Sequence, residues 1–142
     1  MKQATFTPFP ADWARSSHFQ YYTKGFVKSV NSMTVRIDVT HFLAEVKRRN
    51  LKFFPAFAAL TGQVIASIPE MCTAVEDGEI RVEVGIIAGG AVLVHSGTHF
   101  GKYTEADGAF TLPLTLTISH ACMDGYHLSL FFNTLQYRLD CF

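Results

Sequence analysis

The 142-residue chain is 49% apolar, enough to bury one core, and is read as a single domain over residues 1–142. Its 12 basic and 12 acidic side chains cancel, so no long-range field draws it to nucleic acid or an anionic membrane. Cys72, Cys122 and Cys141 lack disulfide or zinc spacing, no signal-like stretch opens the chain, and the uncharged run Phe53 to Pro69 is broken by Pro55 and Gly62, which together point to a cytoplasmic protein with reduced thiols.

Pro8 and Pro10 argue against early regular structure, and a short helix is expected over Ala11 to Tyr22. Met33, Val35, Ile37 and Val39 alternate with polar residues as a strand. Thr40 is the expected N-cap of a helix with Phe42, Leu43 and Val46 on one stripe, ending in Lys47, Arg48 and Arg49. Pro55 suits the first turn of a second helix, whose Phe57, Leu60, Val64, Ile65 and Ile68 precede a stop at Pro69. Asp77-Gly78 turns a hairpin between Cys72 to Glu76 and Glu79 to Val84. Gly85 to Gly101 reads as a loop and then a strand through Val92 and Val94. After a turn at Asp107-Gly108, Leu112, Leu114, Leu116 and Ile118 alternate, with His120 in the same parity. Beyond Gly125, Leu128, Phe131, Phe132, Leu135 and Leu139 trace a final amphipathic helix. Hairpins mixed with helices predict an α+β fold, a sheet with helices packed on one side.

A histidine at a strand end, with Asp124 and Gly125 close behind, fits a base held in a dry pocket. By spacing alone, a structural histidine at the edge of the core is an equally good reading of His120. Asp124 would orient the loop, and Gly125 would permit a tight passage into the helix. His127 reads as a helix-surface or interface residue rather than a second base. His95 and His99 are four apart, but the glycines around them argue against a helix that would bring them to one metal, so no metal site is expected. Thirteen phenylalanines, five tyrosines and one tryptophan exceed the needs of a small core and leave aromatic surface for a ligand pocket or a subunit interface.

The segment His120-Ala121-Cys122-Met123-Asp124-Gly125-Tyr126-His127 resembles the His-x-x-x-Asp-Gly signature of CoA-dependent acyltransferases, specifically the chloramphenicol acetyltransferases. The resemblance extends to Trp13, Arg15, His18 and Phe19 with the pair Tyr21-Tyr22, and to Ile37-Asp38-Val39-Thr40 and Lys52-Phe53-Phe54-Pro55-Ala56. Gly101-Lys102-Tyr103 and Leu112-Pro113-Leu114 follow in family order. It implies a two-layer sandwich with a mixed sheet and helices on one side, in reduced form. It also implies that His120 is the base taking the proton of an acceptor hydroxyl, that Asp124 pairs with Arg15, and that Tyr21 and Tyr22 line the acceptor pocket. Lys52 and Lys102 match lysines near the phosphates of CoA, acetyl-CoA would be the cosubstrate of an active form, and the assembly would be a homotrimer with pockets at its interfaces.

The family pattern runs to about Val84 and resumes near His99, so a central family stretch is missing. That stretch carries the serine that stabilises the oxyanion, and losing one such donor typically costs ~10² to 10³ in turnover. Ser96 and Thr98 are the nearby hydroxyls. Ser119 stands where the family typically has a second histidine, and Cys122 and Met123 also depart from its pattern. The expectation is therefore a truncated relative that binds a small aromatic or amphipathic molecule in trimer-interface pockets, with acetyl transfer weak or lost. The competing expectation is an active O-acetyltransferase acting on chloramphenicol, with antibiotic resistance as its consequence. A structural oligomer carrying a relic motif is the third.

Overall fold

The structure, a computed structural model, describes residues 6–8, 10–24, 30–76, 79–83 and 97–142. Its organising element is the long strand β7 (Ala109–Ser119), and the turn before it shows why the chain doubles back there. Asp107 (φ 51°) and Gly108 (φ 80°) are both left-handed, as a two-residue hairpin turn requires, so β6 (Thr104–Ala106) returns directly along β7. Strands β2 (Val30–Asp38) and β5 (Gly97–Phe100) flank β7 in the order β2-β7-β5. The register sets Ile37 opposite Leu112 and Val35 opposite Leu114, which stacks apolar residues on one face. Leu112, Leu114, Leu116 and Ile118 are fully buried there. The other face carries hydroxyl pairs, Ser32 with Thr117 and Thr34 with Thr115, each at 2.8 Å.

Among the described residues, the helices that pack on this sheet cover its apolar face. The α2 helix (Thr40–Arg48) packs on β7, α4 (Gly125–Asp140) packs on β2, and α3 (Phe53–Ala66) lies against α4. Phe42, Phe57, Phe131, Leu135 and Leu139 fill the space between the layers, and each such buried side chain contributes about 1.5–3 kcal/mol over leaving it exposed. The N-cap of α2 is Val39, not Thr40. Thr40 is the first helical residue. The Asp38 carboxylate accepts its N–H (2.8 Å), and its hydroxyl accepts the N–H of Phe110 across the fold (2.8 Å). The helix closes on left-handed Asn50 (φ 53°), with Leu51 N–H donating to Val46 O and Asn50 N–H to Lys47 O, a Schellman end with asparagine in place of glycine.

Pro55 does lie in the first turn of α3, but that helix stops at Ala66, and Pro69 starts a short 3₁₀ helix, Pro69–Cys72. The hairpin of β3 (Thr73–Glu76) and β4 (Glu79–Glu83) forms as expected; its Asp77-Gly78 turn lies outside the described residues. Against expectation, Pro8 ends a strand, β1 (Phe6–Pro8), at one edge of a second sheet ordered β1-β4-β3. An edge position tolerates the missing N–H. The α1 helix (Ser16–Lys24) starts later than Ala11, because Trp13 N–H bonds to Pro10 O and Ser16 N–H to Trp13 O in preceding turns. Val92 and Val94 lie outside the described residues.

The fold is thus α+β with helices on one side of the larger sheet. Every described strand pair is antiparallel, so the expected mixed character has no parallel pair behind it among these residues. No helix among the described residues is long and apolar enough to cross a membrane.

Candidate functional site

The β7 strand ends at Ser119, whose carbonyl accepts the N–H groups of Cys122 (3.2 Å) and Met123 (3.0 Å) and so closes a tight turn. Ala121, Cys122 and Met123 all sink into the core, which anchors the turn. His120 is therefore not a further strand residue but the first residue of this turn, half-buried. Its Nδ1 lies 3.1 Å from Met123 O. A carbonyl oxygen only accepts, so Nδ1 carries the proton in that contact and Nε2 keeps its lone pair. That tautomer can accept a proton from a hydroxyl.

Asp124 follows as the N-cap of α4, and its Oδ1 accepts the Tyr126 N–H at 3.0 Å. Its Oδ2 pairs with Arg15 Nη1. Arg15 Nη2 donates to His120 O (2.9 Å) and Met123 O (3.4 Å), so one guanidinium holds both ends of the histidine turn and the cap behind it. Arg15 is only 11% exposed at its side chain, against 37% for Asp124, and its Nε has no acceptor among the described residues. Burial pushes the Asp124 carboxyl up, but the hydrogen bond from His127 and the charge of Arg15 outweigh it and hold the group below its ordinary range.

His127 is the residue that sequence reasoning misplaced. It is buried at 7% exposure rather than on the helix surface, with Nδ1 3.0 Å from Asp124 Oδ1 and 3.2 Å from the Asp124 N, while Nε2 faces Glu70 at 3.8 Å. The available signal was the spacing: an aspartate followed three residues later by a hydrogen-bonding side chain is a capping box. Gly125 plays a smaller part than expected, since a Cβ there would meet nothing within 4 Å and its φ is not left-handed.

The Tyr22 ring stands 5.2 Å from the His120 ring at 35°, and Tyr21, 71% exposed, meets Tyr22 edge-on at 5.3 Å. Arg15, Tyr22, His120 and Asp124 thus share one site, with Tyr21 at its outer rim. Lys52 and Lys102 do not join it. Both are exposed at another end of the sheet, where their neighbours Phe53 and Tyr103 touch (5.4 Å). Gly101 N–H bonds to Pro113 O, and from Pro113 to His120 the chain covers roughly 23 Å of extended backbone. Cys122 is fully buried, and burial pushes its thiol up, so it is not an activated nucleophile. Thr98 pairs with Leu116, roughly 13 Å of strand short of His120, and Ser96 lies outside the described residues. His99 is in a strand, His95 is outside the described residues, and no metal-holding cluster occurs among the described ones.

A family model described as chloramphenicol acetyltransferase matches residues 9–86. Chloramphenicol acetyltransferases of Klebsiella sp and Escherichia coli are each 33% identical over 72 residues, 51% of this chain and 32% of theirs, so the match spans about a third of those relatives. A solved chloramphenicol acetyltransferase superposes with a TM-score of 0.80 at 16% identity, covering 97% of this chain and 100% of that one. A probable dihydrolipoamide acetyltransferase from Listeria monocytogenes follows at 0.56 and 11%, covering 99% and 95%. At such identities these likenesses speak for the fold alone. Arg15, Tyr21, Tyr22 and Lys52 lie inside the matched range, and Lys102, His120 and Asp124 outside it. With more than half of its length matched by that model, the chain belongs to the chloramphenicol acetyltransferase family.

Proposed function

We propose that this chain binds a small aromatic or amphipathic molecule bearing a hydroxyl, such as chloramphenicol, at His120, with acetyl transfer weak or lost. The observation that carries the reading is the Nδ1 contact of His120 with Met123 O, which leaves Nε2 free to accept a hydrogen bond from that hydroxyl. Tyr22, and Tyr21 beside it, supply aromatic wall next to the ring. The protein acts as one domain over residues 1–142, in the cytoplasm, as a homotrimer whose neighbouring subunit completes each pocket; the exposed aromatic Tyr21 is in keeping with this. The central family stretch with its oxyanion serine is missing, and that loss weakens transfer.

A second reading, an active O-acetyltransferase, is favoured by the lysines. Lys52 and Lys102 mark one end of a span of roughly 23 Å that reaches His120, which suits a cosubstrate with phosphates at one end and a thioester at the other. His120 would take the hydroxyl proton as the oxygen attacks the acetyl carbonyl. The carbon–sulfur bond then breaks, and the imidazolium returns the proton to the CoA thiolate.

Thiol release from acetyl-CoA with chloramphenicol, measured for the wild type, for His120→Ala and without acceptor, tests both. Release at a small fraction of a full-length relative's rate, or none, fits the first reading provided chloramphenicol binds. Fast acceptor-dependent release that His120→Ala abolishes replaces it with the second.

A further inference from the structure

We propose that His127 is a positioning residue for His120, acting through Asp124 and Arg15; this rests on the reading of His120 as the group that meets the ligand hydroxyl. His127 occupies the third position of α4, buried between that helix and the 3₁₀ helix that carries Glu70. Its Nδ1 lies 3.0 Å from Asp124 Oδ1 and 3.2 Å from the Asp124 N, and because one ring nitrogen cannot donate and accept at once, the protonated Nδ1 bonds Oδ1 alone. With Oδ1 held by His127 and by the Tyr126 N–H, the carboxylate cannot rotate, and Oδ2 stays turned toward Arg15. Arg15 in turn holds His120 O and Met123 O, and Met123 O is the same atom that takes the His120 Nδ1 proton.

One run of contacts therefore leads from His127 to the tautomer of His120. If Asp124 turns freely, Arg15 loses its fixed partner and Met123 O its second donor. Nδ1 of His120 is then no longer committed to one acceptor, and the tautomer with a free Nε2 loses its advantage. A misplacement of about 1 Å at a reacting group can cost about 10²-fold in rate. The Arg15–Asp124 pair alone does not account for His127, because the pair uses the other carboxylate oxygen.

The substitutions that separate positioning from filling space are His127→Gln and His127→Leu. Glutamine is an ordinary third residue of a capping box and can accept from the Asp124 N–H and donate to Oδ1, whereas leucine fills the space with no polar atom to offer either group. Ring ¹H–¹⁵N spectra of the full chain, with His120→Ala for assignment, read the tautomer without needing turnover. The expected result is a single Nδ1–H tautomer of His120 in the wild type and in His127→Gln, and averaged tautomers in His127→Leu. Chloramphenicol affinity or kcat should fall about tenfold in the Leu variant, with the KM for acetyl-CoA unchanged and the Gln variant near wild type.

A folded Leu variant with wild-type His120 signals would overturn the proposal. Should that variant not fold, the Gln variant decides: a folded Gln protein that loses the His120 pattern is equally fatal. A wild type that neither binds chloramphenicol nor releases thiol defeats the functional reading, while the ring spectra still decide what His127 does.

Discussion

Two clusters of arginine and carboxylate differ in what they join. At the end of α2, Glu45 takes Arg48 at 2.7 Å and the capping Arg49 at 3.1 Å, all within one turn and near the surface, and hydrogen bonding from Arg48, with Arg49 adding to it, draws the Glu45 carboxyl down to about 2. Arg15 and Asp124 stand 109 residues apart, and their pair fastens the turn before α1 to the end of β7 and the start of α4. Both carboxyls are held low, and Arg49 also donates to Phe142 O, but only the second pair joins an arginine and a carboxylate far apart in the chain and holds both carbonyls of the His120 turn. Exposed pairs inside a helix add little, whereas a half-buried pair leaves an unmatched charge when one partner goes.

Breaking the second pair should therefore cost most. Arg15→Ala is expected to lower the unfolding free energy by about 2–3 kcal/mol, below the 3–5 typical of a fully buried pair because Asp124 is over a third exposed. Denaturant titration checks this, and a loss under about 0.5 kcal/mol would place the two clusters in one class. Asp124→Asn sharpens the contrast by removing charge while keeping a competent N-cap, and should cost roughly 1–2 kcal/mol.

The pH dependence follows from the sign of the Asp124 shift. A carboxyl held low in the fold stabilises it fully above the ordinary carboxylate range and loses that contribution as pH falls through the folded value. Melting temperatures taken downward from pH 7 should drop more steeply for the wild type than for Arg15→Ala. Parallel acid limbs would show that the pair is not coupled to folding. Glu45→Ala, the smallest effect, should leave the melting temperature almost unchanged near neutral pH.

Local rules made much of this fold legible. Alternation from Leu112 to Ile118, the Asp107-Gly108 turn and the apolar stripe of α4 each depend on neighbours in the chain, and each forms where expected. What sequence missed depends on partners far away. Thr40 looked like a cap, but its hydroxyl is used by Phe110, seventy residues on, and Asp38 takes the helix N–H instead. Pro8 becomes a strand end because β4 supplies an edge for it. His127 looked superficial because its burial comes partly from packing beside Glu70, far back in the chain, although its contact with Asp124 was readable from their spacing. At the site, Arg15, Asp124 and His120 were named from resemblance and do meet, whereas the guanidinium's hold on both carbonyls of the turn had no sequence signal.

The most direct test of the account is a calorimetric titration of chloramphenicol into the wild-type protein and into His120→Ala. The account predicts saturable binding with one site per chain and an affinity about five- to tenfold weaker in the variant, the worth of one neutral hydrogen bond. No binding to the wild type, or equal binding to a folded variant, would contradict it.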